Sequence, residues 1–253
     1  LTPERAVEIQ HLLDSNITMV LDECTAWPVD QDTARASMEL SMRWAARCRA
    51  AHMVRDGYGL FGIVQGSIYP ELRRRSADML TEIGFDGYAV GGLAVGEGRD
   101  VMFEVLDATV PSLPADRPRY LMGVGKPADI VGAVRRGIDM FDCVLPTRSG
   151  RTAQAFVRGG TLNMRNARFA EDERPLDAAC ACPTCASHSR AYLNHLVKAG
   201  EMLGGMLLTT HNLHYYQDLM RDLRRMIENG TLDDWAEKFA ATERAGPDGL
   251  EPA

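Results

Sequence analysis

Short apolar runs alternate along the first 150 residues with longer stretches whose apolar positions recur every three or four residues, a pattern that predicts repeated βα units on a parallel sheet. The predicted strands are 17–21, 60–64, 88–90, 120–122 and 140–141. Each runs into polar or glycine residues: Asp22-Glu23-Cys24, Gln65-Gly66-Ser67, Gly91-Gly92-Leu93, Gly123-Val124-Gly125 and Asp142. Between them the period predicts helices over 32–55, 72–83, 101–110 and 127–136, with Pro127 in a first turn. Thr2 before Pro3 reads as the capped start of a further helix. Parallel strands end on one edge, so Asp22, Gln65, Gly92 and Asp142 are expected there as neighbours.

After residue 150 the pattern changes. Strands are predicted over 152–156 and 161–163 around Gly159-Gly160, then a cysteine cluster, then helices over about 187–203 and 212–228. The predicted division is 1–150 for the βα units, 151–228 for a metal-binding subdomain with closing helices, and 229–253 for a C-terminal helix and a tail that frays from about residue 245. A (β/α)8 barrel needs eight strands and roughly 250 residues. Five or six strand candidates precede the cysteines, so either the barrel is incomplete or its N-terminal strands are missing; the chain opens Leu1-Thr2-Pro3-Glu4, without Met.

Composition narrows the partners. A formal charge of −7 argues against a protein that coats nucleic acid nonspecifically, while leaving room for a local basic patch. No run approaches the ~18–20 apolar residues of a membrane span, and no secretory pattern opens the chain, so a soluble, cytoplasmic protein is expected. Six cysteines in a chain this long make no disulfide framework. Cys180, Cys182 and Cys185 crowd into six residues as CxCxxC, which suits one tetrahedral Zn2+ with a fourth ligand from His188, His195, His211 or His214. Spacing favours His211, at what reads as a helix entry, only modestly. Three sulfurs and one nitrogen leave no open position, so the zinc is expected to be structural. Cys24, Cys48 and Cys143 read as buried thiols.

Two carboxylates on one edge, Asp22 and Asp142, suit nucleophilic displacement at a sugar carbon; capping or salt bridging is the ordinary alternative. Gly91 to Gly98 matches neither the dinucleotide nor the P-loop fingerprint and by pattern is a tight βα turn. Arg148, Arg151, Arg158, Arg165 and Arg168 fall in a stretch with no Asp or Glu, and beside Asp142 they offer phosphate partners.

Taken in order, Asp22-Glu23-Cys24-Thr25, the segment from Phe61 to Ser67, Gly91 to Glu97, Tyr120 to Gly125, Asp142 to Arg148 and the CxCxxC cluster closely resemble bacterial tRNA-guanine transglycosylases over residues 1–228. The resemblance implies an α/β (β/α)8 TIM barrel with a zinc-binding subdomain, a homodimer, and exchange of guanine at the wobble position of tRNA with a GUN anticodon for 7-aminomethyl-7-deazaguanine. It implies Asp142 as nucleophile, Asp22 as reader of the guanine edge, Gln65 and the Gly92 amide on the carbonyl oxygen, and the Leu93 carbonyl on the aminomethyl group. Tyr120 and Met122 would sandwich the ring, and Arg148 and Arg151 would contact the anticodon loop. Cys180, Cys182, Cys185 and His211 match the zinc ligands. Val95 and Cys24 match the bacterial pattern, whereas relatives using the larger base queuine carry glycine at the position of Val95. The family also has an earlier segment with the first barrel strands and another aspartate, so a barrel without its first strands is expected.

Overall fold

The computed structural model describes residues 1–247, so that most of the tail read as frayed, residues 248–253, lies outside the described residues. The chain forms two compact units: one of Leu1–Val124 with Gly132–Asp142, the other of Gly125–Val131 with the chain from Cys143 onward.

The first unit is built on five parallel strands, β1 (Ile17–Met19), β2 (Gly59–Val64), β3 (Gly87–Val90), β4 (Arg119–Leu121) and β5 (Met140–Phe141), hydrogen-bonded in sequence order. Strands that neighbour one another in chain order, each joined to the next through a helix, are the winding of a (β/α)8 barrel; a doubly wound sheet would reverse its order. β2 and β3 are buried almost throughout, as continuous apolar runs predict for strands covered on both faces. Gly87 admits the ring of Phe61: a Cβ there would lie 2.3 Å from it. β1 stops at Met19 instead of reaching Leu21, because the Leu21 amide turns to the buried Cys48 sulfur at 3.3 Å.

The intervening helices are α1 (Pro3–Leu12), α2 (Gln31–Ala51), α3 (Pro70–Ile83), α4 (Arg99–Thr109) and α5 (Pro127–Val134). Thr2 caps α1 by accepting from the Arg5 amide, and Asp30 caps α2 through the Thr33 amide. α2 ends four residues earlier than its period suggests, where His52 turns extended and its ring meets that of His11 at 3.1 Å. One apolar core, including Met38, Met42, Leu60, Ile63, Leu80 and Leu106, joins helices to sheet.

The second unit carries α6 (Leu145–Arg151), the antiparallel hairpin of β6 (Gln154–Val157) and β7 (Gly160–Asn163), α7 (Pro183–Ser187), α8 (Arg190–Ala199), α9 (Met202–Glu228) and α10 (Leu232–Ala245). Two expectations are corrected here. The helix read over 187–203 is divided, α8 closing at Gly200 in the left-handed conformation (φ 74°). The helix read from residue 212 starts ten residues earlier, so His211 and Asn212 sit in mid-helix. α6 and α9 touch backbone to backbone at Gly150, where a Cβ would lie 2.7 Å from the Thr209 amide nitrogen. Buried Asn212 ties the unit together, accepting from the Phe156 amide (2.9 Å) and donating to the carbonyls of Pro146 and Gln154 (both 2.9 Å). Among the described residues no helix is long and apolar enough to cross a membrane.

Candidate active site and metal centre

Parallel register brings polar residues to the carboxyl ends of successive strands. Asp22 follows β1, Gln65 follows β2, Gly91 and Gly92 follow β3, and Asp142 follows β5. The Gln65 side chain, 3% exposed, donates through Nε2 to Asp22 Oδ2 at 2.6 Å, while its backbone amide is held by Ser76 Oγ at 3.1 Å. Burial pushes the Asp22 carboxyl up, and the Gln65 bond offsets part of that rise. Gly91 and Gly92 must lack a side chain: a Cβ on either would sit 2.8 Å from Gln65 Nε2 or 2.6 Å from Gln65 Oε1, and Gly92 has φ +66°. These four residues form one contiguous set.

Asp142 belongs to a second set. Its Oδ1 accepts from the Tyr120 hydroxyl at 2.6 Å and from the Gly123 amide at 2.7 Å. Oδ2 accepts no hydrogen bond among the described residues, and the side chain is exposed. Burial, then the hydrogen bond to Asp142 and its charge, raises the Tyr120 hydroxyl well above its ordinary range, so it remains a donor. Tyr120 lies in β4 and Met122 just beyond its end, both half-buried against the core. The Met122 amide continues the ladder beyond β4 by donating to Val90 O at 3.3 Å. Leu93, after β3, is buried.

The segment after β3, read as a tight turn, is instead an eight-residue loop, 91–98, closed by its own carboxylate. The Glu97 carboxylate accepts from the amides of Ala94 (2.5 Å), Val95 (2.9 Å) and Gly96 (3.1 Å), the donors a phosphate would need. Of the five arginines between 148 and 168, three are engaged: Arg158 with Asp177 at 3.0 Å, Arg165 with the Thr152 carbonyl, Arg168 over the Phe169 ring. Arg148 and Arg151, one helical turn apart on α6 and exposed, have side chains with no partner among the described residues. The expectation of buried thiols fails at Cys24, which is exposed; Cys48 is buried and Cys143 half-buried.

One group escaped the sequence reading. Arg73, in α3, is fully buried and donates to the carbonyls of Ser67 (2.7 Å), Val64 (3.1 Å), Gly91 (2.7 Å) and Gly92 (3.4 Å). It hid in the run Arg73-Arg74-Arg75, which reads as a solvated face. The signal was its phase, one face with the buried Ser76, Ala77 and Leu80.

In the second unit Cys180, Cys182, Cys185 and His211 offer ligand atoms that lie within 4.8 Å of one another. The three sulfurs stand 3.7, 3.4 and 3.4 Å from His211 Nδ1. A tetrahedral ion with metal–sulfur bonds of about 2.3 Å and metal–nitrogen of about 2.0 Å requires sulfur–nitrogen edges of about 3.5 Å, so the donor set fits one. His211 Nε2 lies 2.7 Å from Phe156 O; the proton on that nitrogen leaves Nδ1 to face the sulfurs. Burial keeps the imidazole neutral and raises the Cys180 and Cys185 thiols, so a bound metal must displace thiol protons. The other histidines lie elsewhere: His188 stacks on Tyr192, His214 contacts Asp218 at 3.2 Å, and His195 is exposed.

The sheet winding and its strand-end carboxylates place the chain among (β/α)8-barrel proteins that carry a metal-binding subdomain. The family model described as queuine tRNA-ribosyltransferase matches residues 1–245. The chain is 63% identical over 246 residues to the queuine tRNA-ribosyltransferase of Granulibacter bethesdensis, covering 97% of this chain and 65% of the relative. It is 60% identical over 245 residues to the protein of that name from Zymomonas mobilis (95% and 64%), and 59% identical over 252 residues to that of a Ruegeria species (100% and 66%). The chain belongs to the queuine tRNA-ribosyltransferase family, and it spans a little under two thirds of the length of these relatives.

Loading with Co2+ in place of the native metal is expected to give the intense visible absorption of a tetrahedral thiolate site, weakening as the pH falls and protons compete for sulfur. Cys182→Ala should abolish the band and lower the midpoint of thermal unfolding by on the order of 10 °C. A weak octahedral spectrum, or a band indifferent to Cys182, would contradict the geometry.

Proposed function

We propose that this chain provides the catalytic centre of a tRNA-guanine transglycosylase, which exchanges guanine at the anticodon wobble position of tRNA with a GUN anticodon for 7-aminomethyl-7-deazaguanine in queuosine biosynthesis. Within the family, the observation that carries the reading is the pairing on one sheet edge of a held carboxylate with an open oxygen, Asp142, and a base-reading set, Asp22 with Gln65 and Gly92.

Asp142 is the nucleophile. With Oδ1 held by Tyr120 and Gly123, Oδ2 attacks the ribose C1′; the C1′–N9 bond breaks, its electron pair leaves with guanine, and guanine takes up a proton. The incoming base gives up its proton and attacks C1′ in turn, which releases the carboxylate. No bond energy is consumed overall. The nucleotide must leave its stack to reach this edge. Asp22 accepts from N1–H and the 2-amino group, Gln65 and the Gly92 amide bind the carbonyl oxygen, and the Leu93 carbonyl takes the aminomethyl group. Tyr120 and Met122 hold the ring between them. Val95 narrows the pocket against bulkier bases.

Arg148 and Arg151, uncommitted within the described residues, contact the anticodon loop. Cys180, Cys182, Cys185 and His211 hold one structural Zn2+, which fixes the second unit and takes no part in base exchange. The assembly is a homodimer, and its place is the cytoplasm, where tRNA is modified.

Incorporation of radiolabelled guanine into unmodified tRNA carrying a GUN anticodon tests the reading. Label is expected to enter with the wild-type protein, and Asp142→Asn should cut the rate by roughly 10⁴-fold; equal labelling by both would refute Asp142 as nucleophile. Asp22→Asn separates recognition from stability. Burial raises the Asp22 pKa, so its ionised form weakens the fold above the ordinary carboxylate range, and the stability it lends at low pH is lost as pH rises. The asparagine variant should therefore unfold at the same or a higher temperature at pH 7, with the difference shrinking toward pH 4, while guanine affinity drops by on the order of 100-fold through loss of charge-assisted bonds. Thermal unfolding across pH and equilibrium dialysis of labelled guanine measure both; a less stable variant with undiminished affinity is the contrary result.

A further inference from the structure

A guanidinium taken fully out of water is costly unless every N–H is answered, and here the partners are four backbone carbonyls and no carboxylate. Those carbonyls come from two places only. Val64 and Ser67 flank Gln65 at the end of β2, and Gly91 and Gly92 follow the end of β3. Arg73 thus clamps together the two loops that carry the base-reading set, and no Arg73 nitrogen is left buried without a partner.

The clamp also sets a direction. The peptide joining Gly91 to Gly92 is trans, so its N–H points opposite to its carbonyl. The Gly91 carbonyl points at Arg73 Nη1, 2.7 Å away, and the Gly92 N–H therefore points away from the guanidinium. It faces the Cys24 sulfur, on the side where Asp22 stands. The Gly92 carbonyl, 3.4 Å from Nη2, turns the Leu93 amide by the same rule. Gly92 has φ +66°, a conformation that a free loop would leave readily, and the clamp is what holds the peptide plane in it.

We infer that Arg73 is the positioning residue for recognition of the base's carbonyl oxygen: by holding the Gly91 and Gly92 carbonyls it aims the Gly92 N–H into the base pocket. This rests on the transglycosylase reading. Arg73 touches no substrate; it acts through the peptide it holds. The burial that lowers its pKa to about 10 leaves it charged at neutral pH, so the clamp does not titrate in the working range. Lysine cannot replace it, since a single ammonium cannot answer carbonyls spread over two loops in one plane.

Equilibrium dialysis of guanine and 6-thioguanine, on wild-type protein and on Arg73→Lys and Arg73→Gln, tests the inference without relying on turnover. The two bases share the N1–H and 2-amino edge read by Asp22, and differ in the oxygen or weakly accepting sulfur offered to Gly92. Wild type should prefer guanine, and both variants should lose about tenfold of that preference, with guanine binding weakened and 6-thioguanine binding little changed. Equal weakening of both bases would reduce Arg73 to a structural residue and overturn the inference. Should the variants fail to fold, the wild-type Gly92 amide carries the test: its NMR signal should move more with guanine than with 6-thioguanine, and an unmoved signal would overturn it equally. Wild-type protein that binds neither base would instead remove the transglycosylase reading itself, and this inference with it.

Discussion

Strand direction is the constraint on which the candidate site depends. Because all five strands run the same way and pair in chain order, every loop at a carboxyl end falls on one edge of the sheet. Residues separated by 120 positions, Asp22 and Asp142, reach that edge without any contact specific to them. A one-residue slip between β2 and β3 would disturb this at once, since Val64 pairs with Val90 and the next residues are Gln65 and Gly91, whose close fit tolerates no Cβ. The core enforces the register by burying β2 and β3 on both faces.

Polar groups within this apolar frame are fixed by answering one another. Gln65 bridges Ser76 and Asp22, Asp142 receives two donors on one oxygen, and Glu97 closes its own loop on three amides. In the second unit His211 and Asn212, adjacent on α9, connect the same hairpin to the cysteine cluster and to α6. Gln65, His211 and Asn212 are buried with their polar atoms answered, whereas Asp142 is exposed and keeps one oxygen open.

What the chain's pattern revealed follows from how local each signal is. β2 and β3 were legible because a buried parallel strand is an unbroken apolar run ended by glycine or a polar residue, and their ends named Gln65 and Gly92. The helices could be found by period, but α2 ends early where His52 turns extended, and α5 ends at Val134, where the chain enters a turn that Gly137 closes with φ 88°. The start of α9 was obscured because Gly204 and Gly205, weak helix formers, stand in its first turn, whereas the fit of Gly150 against Thr209 that seats α9 on α6 exists only in three dimensions. Spacing left four histidines open for the same reason: nothing between Cys185 and His211 tells that α8 and α9 fold back. Arg73 was hidden by composition, since an arginine triplet looks like surface unless its phase is weighed against the buried face of α3.

Asp142, as the proposed nucleophile, forms a covalent bond to tRNA. Mixing the protein with unmodified tRNA bearing a GUN anticodon, with no free base added, and resolving the products by denaturing electrophoresis and mass spectrometry tests it directly. An adduct is expected with the mass of protein plus tRNA less guanine, attached at Asp142 and discharged by added guanine. Free guanine release with no adduct, or an adduct that persists in Asp142→Asn, would contradict it.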